Sequence, residues 1–235
     1  MFRRFPHIAA TSLAALALAL SACTGSAPTD QQPASQSPKA SETAQNSTDP
    51  TDPTEREPDP ALDSKILTGE VAGVTLEELD QLPNLDDLFE GVDVQLEPAD
   101  CVKTGITQIG AGATAHTQTG SELLLLSSDA AAPGKYKEFV QKCPSLSGTV
   151  SGNPTKRTVE MQQAPSVEGA TDVVATKISS ESTVEDSSES TNIYQIIGSV
   201  NGTTVVAQST TFTDQAPSPE TTTELFKAQV EKLKG

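Results

Sequence analysis

Apolar residues along this chain fall into three regimes: a dense run near the start, a long gap, and then short alternating or periodic stretches. The run spans about Ile8 to Leu20 and follows Arg3 and Arg4. It is shorter than the roughly 20 residues a spanning helix requires. Small residues then lead into Cys23, so residues 1–22 read as an export signal. From Thr24 to Lys65 the chain is Pro, Ser, Thr, Asp and Gln, with Leu62 the only large aliphatic residue. Such a tract buries too little apolar surface to offset ordering entropy, so residues 23–65 are expected to be a disordered tether. Fully extended, it would reach roughly 130 Å.

Residues 66–235 carry the patterns of one compact domain. Thr75-Leu76-Glu77-Glu78 has capping-box spacing and predicts a short helix to about Leu82, ended by Pro83. Val92, Val94 and Leu96 alternate and predict a strand before Pro98. Ile106 to Thr119 is small and Thr-rich and gives no clear period. The Leu123–Leu126 run inside 122–127 predicts a buried strand. Lys135 to Cys143 places Tyr136, Phe139, Val140 and Cys143 on one helical face, closed by Pro144. Residues 158–161 and 171–180 predict strands, and 181–189 (ESTVEDSSE) an exposed acidic hairpin loop.

Asn201-Gly202 is a preferred two-residue hairpin turn, because both positions of a type I′ turn need positive φ. Counting outward pairs Val200 with Thr203, Gly198 with Val205, Ile196 with Ala207 and Tyr194 with Ser209, and on the other face Ile197 with Val206 and Ile193 with Thr210. Apolar residues on both faces predict a strand pair covered on two sides. Ser218-Pro219-Glu220 starts a final helix, with Phe226, Val230 and Leu233 as its apolar stripe. The resulting fold class is α+β: a mainly antiparallel sheet with two or three packed helices, preceded by the signal peptide and stalk.

Charge narrows the function classes. The chain has 32 Asp and Glu against 15 Lys and Arg, a field that repels phosphate backbones and excludes sequence-independent nucleic-acid binding. Aromatic residues are 3% and Trp is absent, which disfavours a sugar-stacking platform. Beyond Cys23 the cysteines are Cys101 and Cys143. An even pair in an exported domain reads as a disulfide, with two buried free thiols as the alternative.

Catalytic groups are sparse. His7 lies in the export signal, so a Ser-His-Asp arrangement would have to use His116. No Gly-x-Ser-x-Gly elbow occurs. Gly110-Ala111-Gly112-Ala113-Thr114-Ala115 matches a dinucleotide fingerprint on paper, but the following His-Thr-Gln-Thr-Gly-Ser does not open a helix. Asp80, Asp86, Asp87, Glu90 and Asp93 lack the spacing of a calcium loop and read as a solvated acidic face. No metal or cofactor is expected. Asn46-Ser47-Thr48 and Asn201-Gly202-Thr203 match a glycosylation acceptor and are taken as accidental.

Leu20-Ser21-Ala22-Cys23 resembles the lipobox of bacterial lipoproteins. That resemblance implies diacylglyceryl transfer to the Cys23 thiol, cleavage before it, and a membrane partner reached through the acyl chains on the extracytoplasmic face. Two or more chains give stable anchoring where one is marginal. Val94-Gln95-Leu96-Glu97-Pro98-Ala99-Asp100-Cys101, with Lys135-Tyr136-Lys137-Glu138-Phe139-Val140-Gln141-Lys142-Cys143, is similar to actinobacterial lipoproteins bearing an extracellular sensor-like domain. The same domain occurs on certain mycobacterial serine/threonine kinases. The similarity spans about Leu67 to Phe212 and implies an α+β fold with a cleft for an unidentified ligand. The kinase versions carry two disulfides where this chain has one candidate, and no kinase segment accompanies it. The expected function is therefore a monomeric, non-enzymatic, membrane-anchored lipoprotein that binds a small ligand, a lipid or an envelope partner. The alternatives are an envelope hydrolase using His116 and a passive structural protein of the envelope.

Overall fold

The computed structural model describes residues 55–56, 58–83, 92–184 and 187–235. The predicted signal, Cys23 and most of the predicted tether lie outside them. The elements run β1 (Glu55–Arg56), α1 (Pro60–Asp63), β2 (Gly69–Val71), β3 (Val74–Glu78), β4 (Leu82–Pro83), β5 (Val94–Glu97), a 3₁₀ turn (Ala99–Cys101), β6 (Ile109–His116), β7 (Gly120–Ser127), α2 (Ala132–Lys142), β8 (Ser145–Val150), β9 (Asn153–Gln162), β10 (Thr171–Val184), β11 (Ser187–Val200), β12 (Thr203–Thr211) and α3 (Pro219–Lys234). Ten strands form one sheet in the order β2-β3-β6-β7-β12-β11-β10-β9-β8-β5, while β1 pairs with β4. Every pairing is antiparallel. Among the described residues the domain is thus a mostly antiparallel sheet with three α-helices, more sheet-dominated than its sequence suggests.

Three tight turns account for much of this topology. Ala72-Gly73, Ser151-Gly152 and Asn201-Gly202 all have positive φ at both positions, the geometry whose twist matches two antiparallel strands. The first corrects the expected helix at 75–82. Once the Ala72-Gly73 turn is made, Val74-Thr75-Leu76-Glu77 alternates as a strand and buries Leu76. The second links β8 to β9, both longer than the short strand expected at 158–161. At the third, the predicted register holds, from Val200 opposite Thr203 to Ile193 opposite Thr210. The acidic stretch 181–189 is strand for most of its length rather than loop, with Glu181 opposite Ser190 and Val184 opposite Ser187.

Both faces of the sheet are covered. Leu123 and Leu125 join the cluster under α2, where Tyr136, Phe139 and Val140 pack on Val159, Ile178, Ile193 and Ile197. Leu124 and Leu126 join the opposite cluster, where Leu225, Phe226 and Val230 of α3 pack on Ile196, Val200 and Val205. A central strand buried on two sides reads as a continuous apolar run. Each of these leucines contributes about 1.5–3 kcal/mol by leaving water. The helix α2 starts at Ala132 rather than Lys135, since Pro133 in the first turn sacrifices no helical hydrogen bond. At α3 the Ser218 side chain accepts from the Thr221 amide, the expected cap.

The folded region also begins earlier than residue 66. Asp59 caps α1, accepting from the Ala61 amide at 2.9 Å, and its own amide donates to the Gly110 carbonyl at 2.7 Å. Leu62 and Ile66 are buried. The Gly110–Ala115 motif explains why they fit. A Cβ on Gly110 would stand 2.7 Å from the Leu62 side chain, and one on Gly112 would stand 2.8 Å from that of Leu79. The glycines are there for close packing on a strand, not for a phosphate. Lys65, Ile66 and Leu67 are then held by α3: Gln229 donates to the Lys65 carbonyl and accepts from the Leu67 amide, both at 2.9 Å, and Lys232 donates to the Ile66 carbonyl at 2.6 Å.

Candidate functional site

On the face covered by α2, the apolar block gives way to polar side chains toward the far ends of β9, β10 and β11. Ile178 lies opposite Val159 and Ile193, all buried. One row further on the same face, Ser180 lies between Arg157 on β9 and Thr191 on β11, and Leu146 on β8 completes the row beyond Arg157. Phe212 directly follows Thr211, the end of β12, which lies opposite Asn192, the residue after Thr191. The Phe212 amide donates to the Thr119 carbonyl, yet its side chain is 44% exposed. Phe212 and Met161 are the exposed large apolar residues among those described. In the next row the Thr155 and Ser182 hydroxyls share a hydrogen bond of 3.1 Å.

Arg157 is the unusual member. It is 8% exposed, and its Nε has no hydrogen-bond partner among the described residues. No ion pair reaches it among the described residues. A buried charge normally requires a partner, because desolvation costs several kcal/mol. Burial lowers its pKa, an effect partly opposed by the nearby Tyr136. Tyr136 drops from α2 onto the sheet and meets the Thr176 hydroxyl at 2.9 Å; burial pushes its own pKa up, while the Thr176 bond and Arg157 act the other way. Gln195, one strand from Thr176 on the same face, has an unpartnered buried Nε2.

The opposite face holds a buried carboxyl. Glu122 on β7 accepts from the Ser209 hydroxyl on β12, Ser209 meets Thr222 on α3, and Thr222 donates to the Ser218 carbonyl at 3.1 Å. Burial pushes the Glu122 pKa up to about 7, with the Ser209 bond pulling it back. The Ser209 and Thr222 hydroxyls thus link Glu122 to the Ser218 carbonyl. This relay ties the foot of α3 to the sheet.

Of the residues singled out by sequence, Cys101 and Cys143 come together as a disulfide with Cα atoms 5.6 Å apart, joining the 3₁₀ turn to the end of α2. His116 is exposed at the end of β6. It lines a groove of about 390 Å³ with Glu77, Thr75 and Thr114 and stands opposite Ser121 in register. Among the described residues no side-chain hydrogen bond joins His116, Ser121 and Glu77. A second groove, of about 480 Å³, runs over Ser147, Lys156, Glu181 and Ser190 at the uncovered end of the other face. Asp86, Asp87 and Glu90 lie outside the described residues, and Asp93 accepts from Gln95. Among described residues no three His, Cys, Asp or Glu side chains are grouped to hold a metal. No described helix is long and apolar enough to cross a membrane.

Arg157, Tyr136 and Glu122 were not marked as site residues by sequence. The signal for Arg157 was its phase: Thr155, Arg157, Val159 and Met161 alternate with Lys156, Thr158 and Glu160, which sets an arginine in a core phase once β9 is traced to its full length.

No protein-family model matches this chain, and no curated protein matches it. A search of solved structures finds an uncharacterised protein from Mycobacterium smegmatis, 18% identical, with a TM-score of 0.38 over 69% of this chain and 87% of that one.

Proposed function

We propose that this protein is a non-enzymatic binding protein held at the extracytoplasmic face of a membrane by acyl chains on Cys23. Its sheet domain engages a small ligand, a lipid or an envelope partner on the α2 face. The observation that carries the binding reading is Arg157, buried with its Nε unpartnered among the described residues and in register with the hydroxyl-bearing Ser180 and, one strand further, Thr191. A structural arginine in that position would be expected to hold a carboxylate; a binding arginine waits for one. The Leu20–Cys23 motif supports the anchor, and the Cys101–Cys143 disulfide fits an oxidising compartment. A tether of Pro, Ser and Thr would let a monomeric domain stand clear of the bilayer.

The test is to purify the full-length protein from its native membrane in non-ionic detergent and identify what co-purifies by mass spectrometry. A stoichiometric small molecule, lipid or protein supports the reading. Recovery of bulk membrane lipid alone, in membrane proportions, contradicts it. A second reading, as an envelope hydrolase, rests on the exposed His116 sharing a groove with Glu77. Turnover of an ester or peptide substrate that is lost in His116→Ala would establish that reading instead.

A further inference from the structure

We propose that Arg157 is the anion-binding residue of an amphiphile site. It takes the oxyanion head, phosphate or carboxylate, of a ligand whose apolar part lies across the strands toward Phe212. The inference rests on the binding reading above and specifies its ligand class.

Three observations meet here. First, the guanidinium is nine-tenths buried with Nε unpartnered, and its row on the sheet supplies the Ser180 and Thr191 hydroxyls rather than a carboxylate. A planar oxyanion matches a guanidinium with two parallel hydrogen bonds, and hydroxyls can donate to its remaining oxygens. Second, Phe212 follows the end of β12, three strands from Arg157 or about 14 Å at ordinary strand spacing, and it is 44% exposed. A cation at one end and a bare aromatic at the other fit a ligand with a charged head and an apolar body. Third, the chain as a whole carries a net charge of −17, so an anion gains nothing from the overall field. That field is screened within about 8 Å at physiological salt. Recognition therefore has to come from direct contact with Arg157 rather than from the long-range field.

The experiment is calorimetric titration of the full-length protein in non-ionic detergent with hexyl phosphate, inorganic phosphate and hexanol, together with melting curves. Hexyl phosphate should bind and raise the melting temperature, and inorganic phosphate and hexanol should each bind at least tenfold more weakly. Arg157→Gln should lower hexyl phosphate affinity at least tenfold, with Arg157→Lys intermediate. Phe212→Ala should weaken hexyl phosphate several-fold without changing inorganic phosphate. Unliganded Arg157→Met should melt no lower than the parent protein. The proposal falls if Arg157→Gln binds hexyl phosphate as tightly as the parent, or if inorganic phosphate binds as tightly as hexyl phosphate. It falls equally if Arg157→Met and the triple variant D86N/D87N/E90Q show the same several-degree loss of melting temperature, which would make Arg157 an internal ion pair. A co-purifying ligand whose retention ignores Arg157→Gln would sink this inference and leave the binding reading standing.

Discussion

The Glu122 carboxylate and the Ser209 hydroxyl face each other across β7 and β12, beneath the N-terminal turn of α3. Burial holds the folded-state pKa of Glu122 at about 7, above the ordinary value of 4.5. Between those values the folded protein keeps a proton that the unfolded chain has released. The contribution is therefore fully present below about pH 4.5 and is lost as pH rises through about 7, a change of up to about 3 kcal/mol. Glu122→Gln should flatten this part of the melting temperature against pH and melt higher than the parent at pH 8. Parallel curves for the two proteins would show that Glu122 does not carry the dependence.

The Cys101–Cys143 bridge closes a loop with a sequence separation of 42 and joins two elements on the α2 side of the sheet. On the chain-entropy account, Cys101→Ser with Cys143→Ser should cost about 3–4 kcal/mol. Urea denaturation of the oxidised parent and the double variant measures this. Two thiols reactive in denatured, unreduced protein would show that the bridge does not form.

Gly202 sits at φ +82 in the β11–β12 turn, beside Asn201 at φ +49. Nothing lies within 4 Å of a Cβ placed there, so the cost of Gly202→Val is conformational, about 1–2 kcal/mol. Asn201→Ala should add a smaller loss, since its side chain also donates to the Leu233 carbonyl at 3.2 Å. Equal denaturation midpoints for Gly202→Val and the parent would contradict the turn assignment.

His116 is exposed, and its side chain makes no hydrogen bond among the described residues. His116→Ala should leave the melting temperature within a degree and leave retention of the co-purifying ligand unchanged. Loss of that ligand in the variant would move the site from Arg157 to the groove at Glu77.

What the sequence disclosed follows from how local each signal was. The Asn201-Gly202 turn determines its hairpin from neighbours alone, and the whole β11–β12 register could be counted from it. Ser218 and Pro219 are equally local, and α3 starts where they place it. Ala72-Gly73 and Ser151-Gly152 make the same kind of turn, but Ala and Ser are weaker signs of positive φ than Asn. Without those turns, Thr75–Glu78 reads as a capping box as readily as a strand, and β8 is invisible. The glycines of β6 were misleading for a different reason: they make room for Leu62, Leu79 and Leu82, which come from distant positions. The candidate site was the least legible part. Arg157 is informative only through burial and the lack of a partner, and neither quantity exists until β8, β9, β10 and α2 are assembled around it.

The claim that this domain is an anchored extracytoplasmic protein is tested most directly by the intact mass of the protein extracted from its own membrane. The account predicts a chain beginning at Cys23 with diacylglyceryl mass on that residue. A chain that retains residues 1–22, or begins elsewhere with Cys23 unmodified, would contradict it.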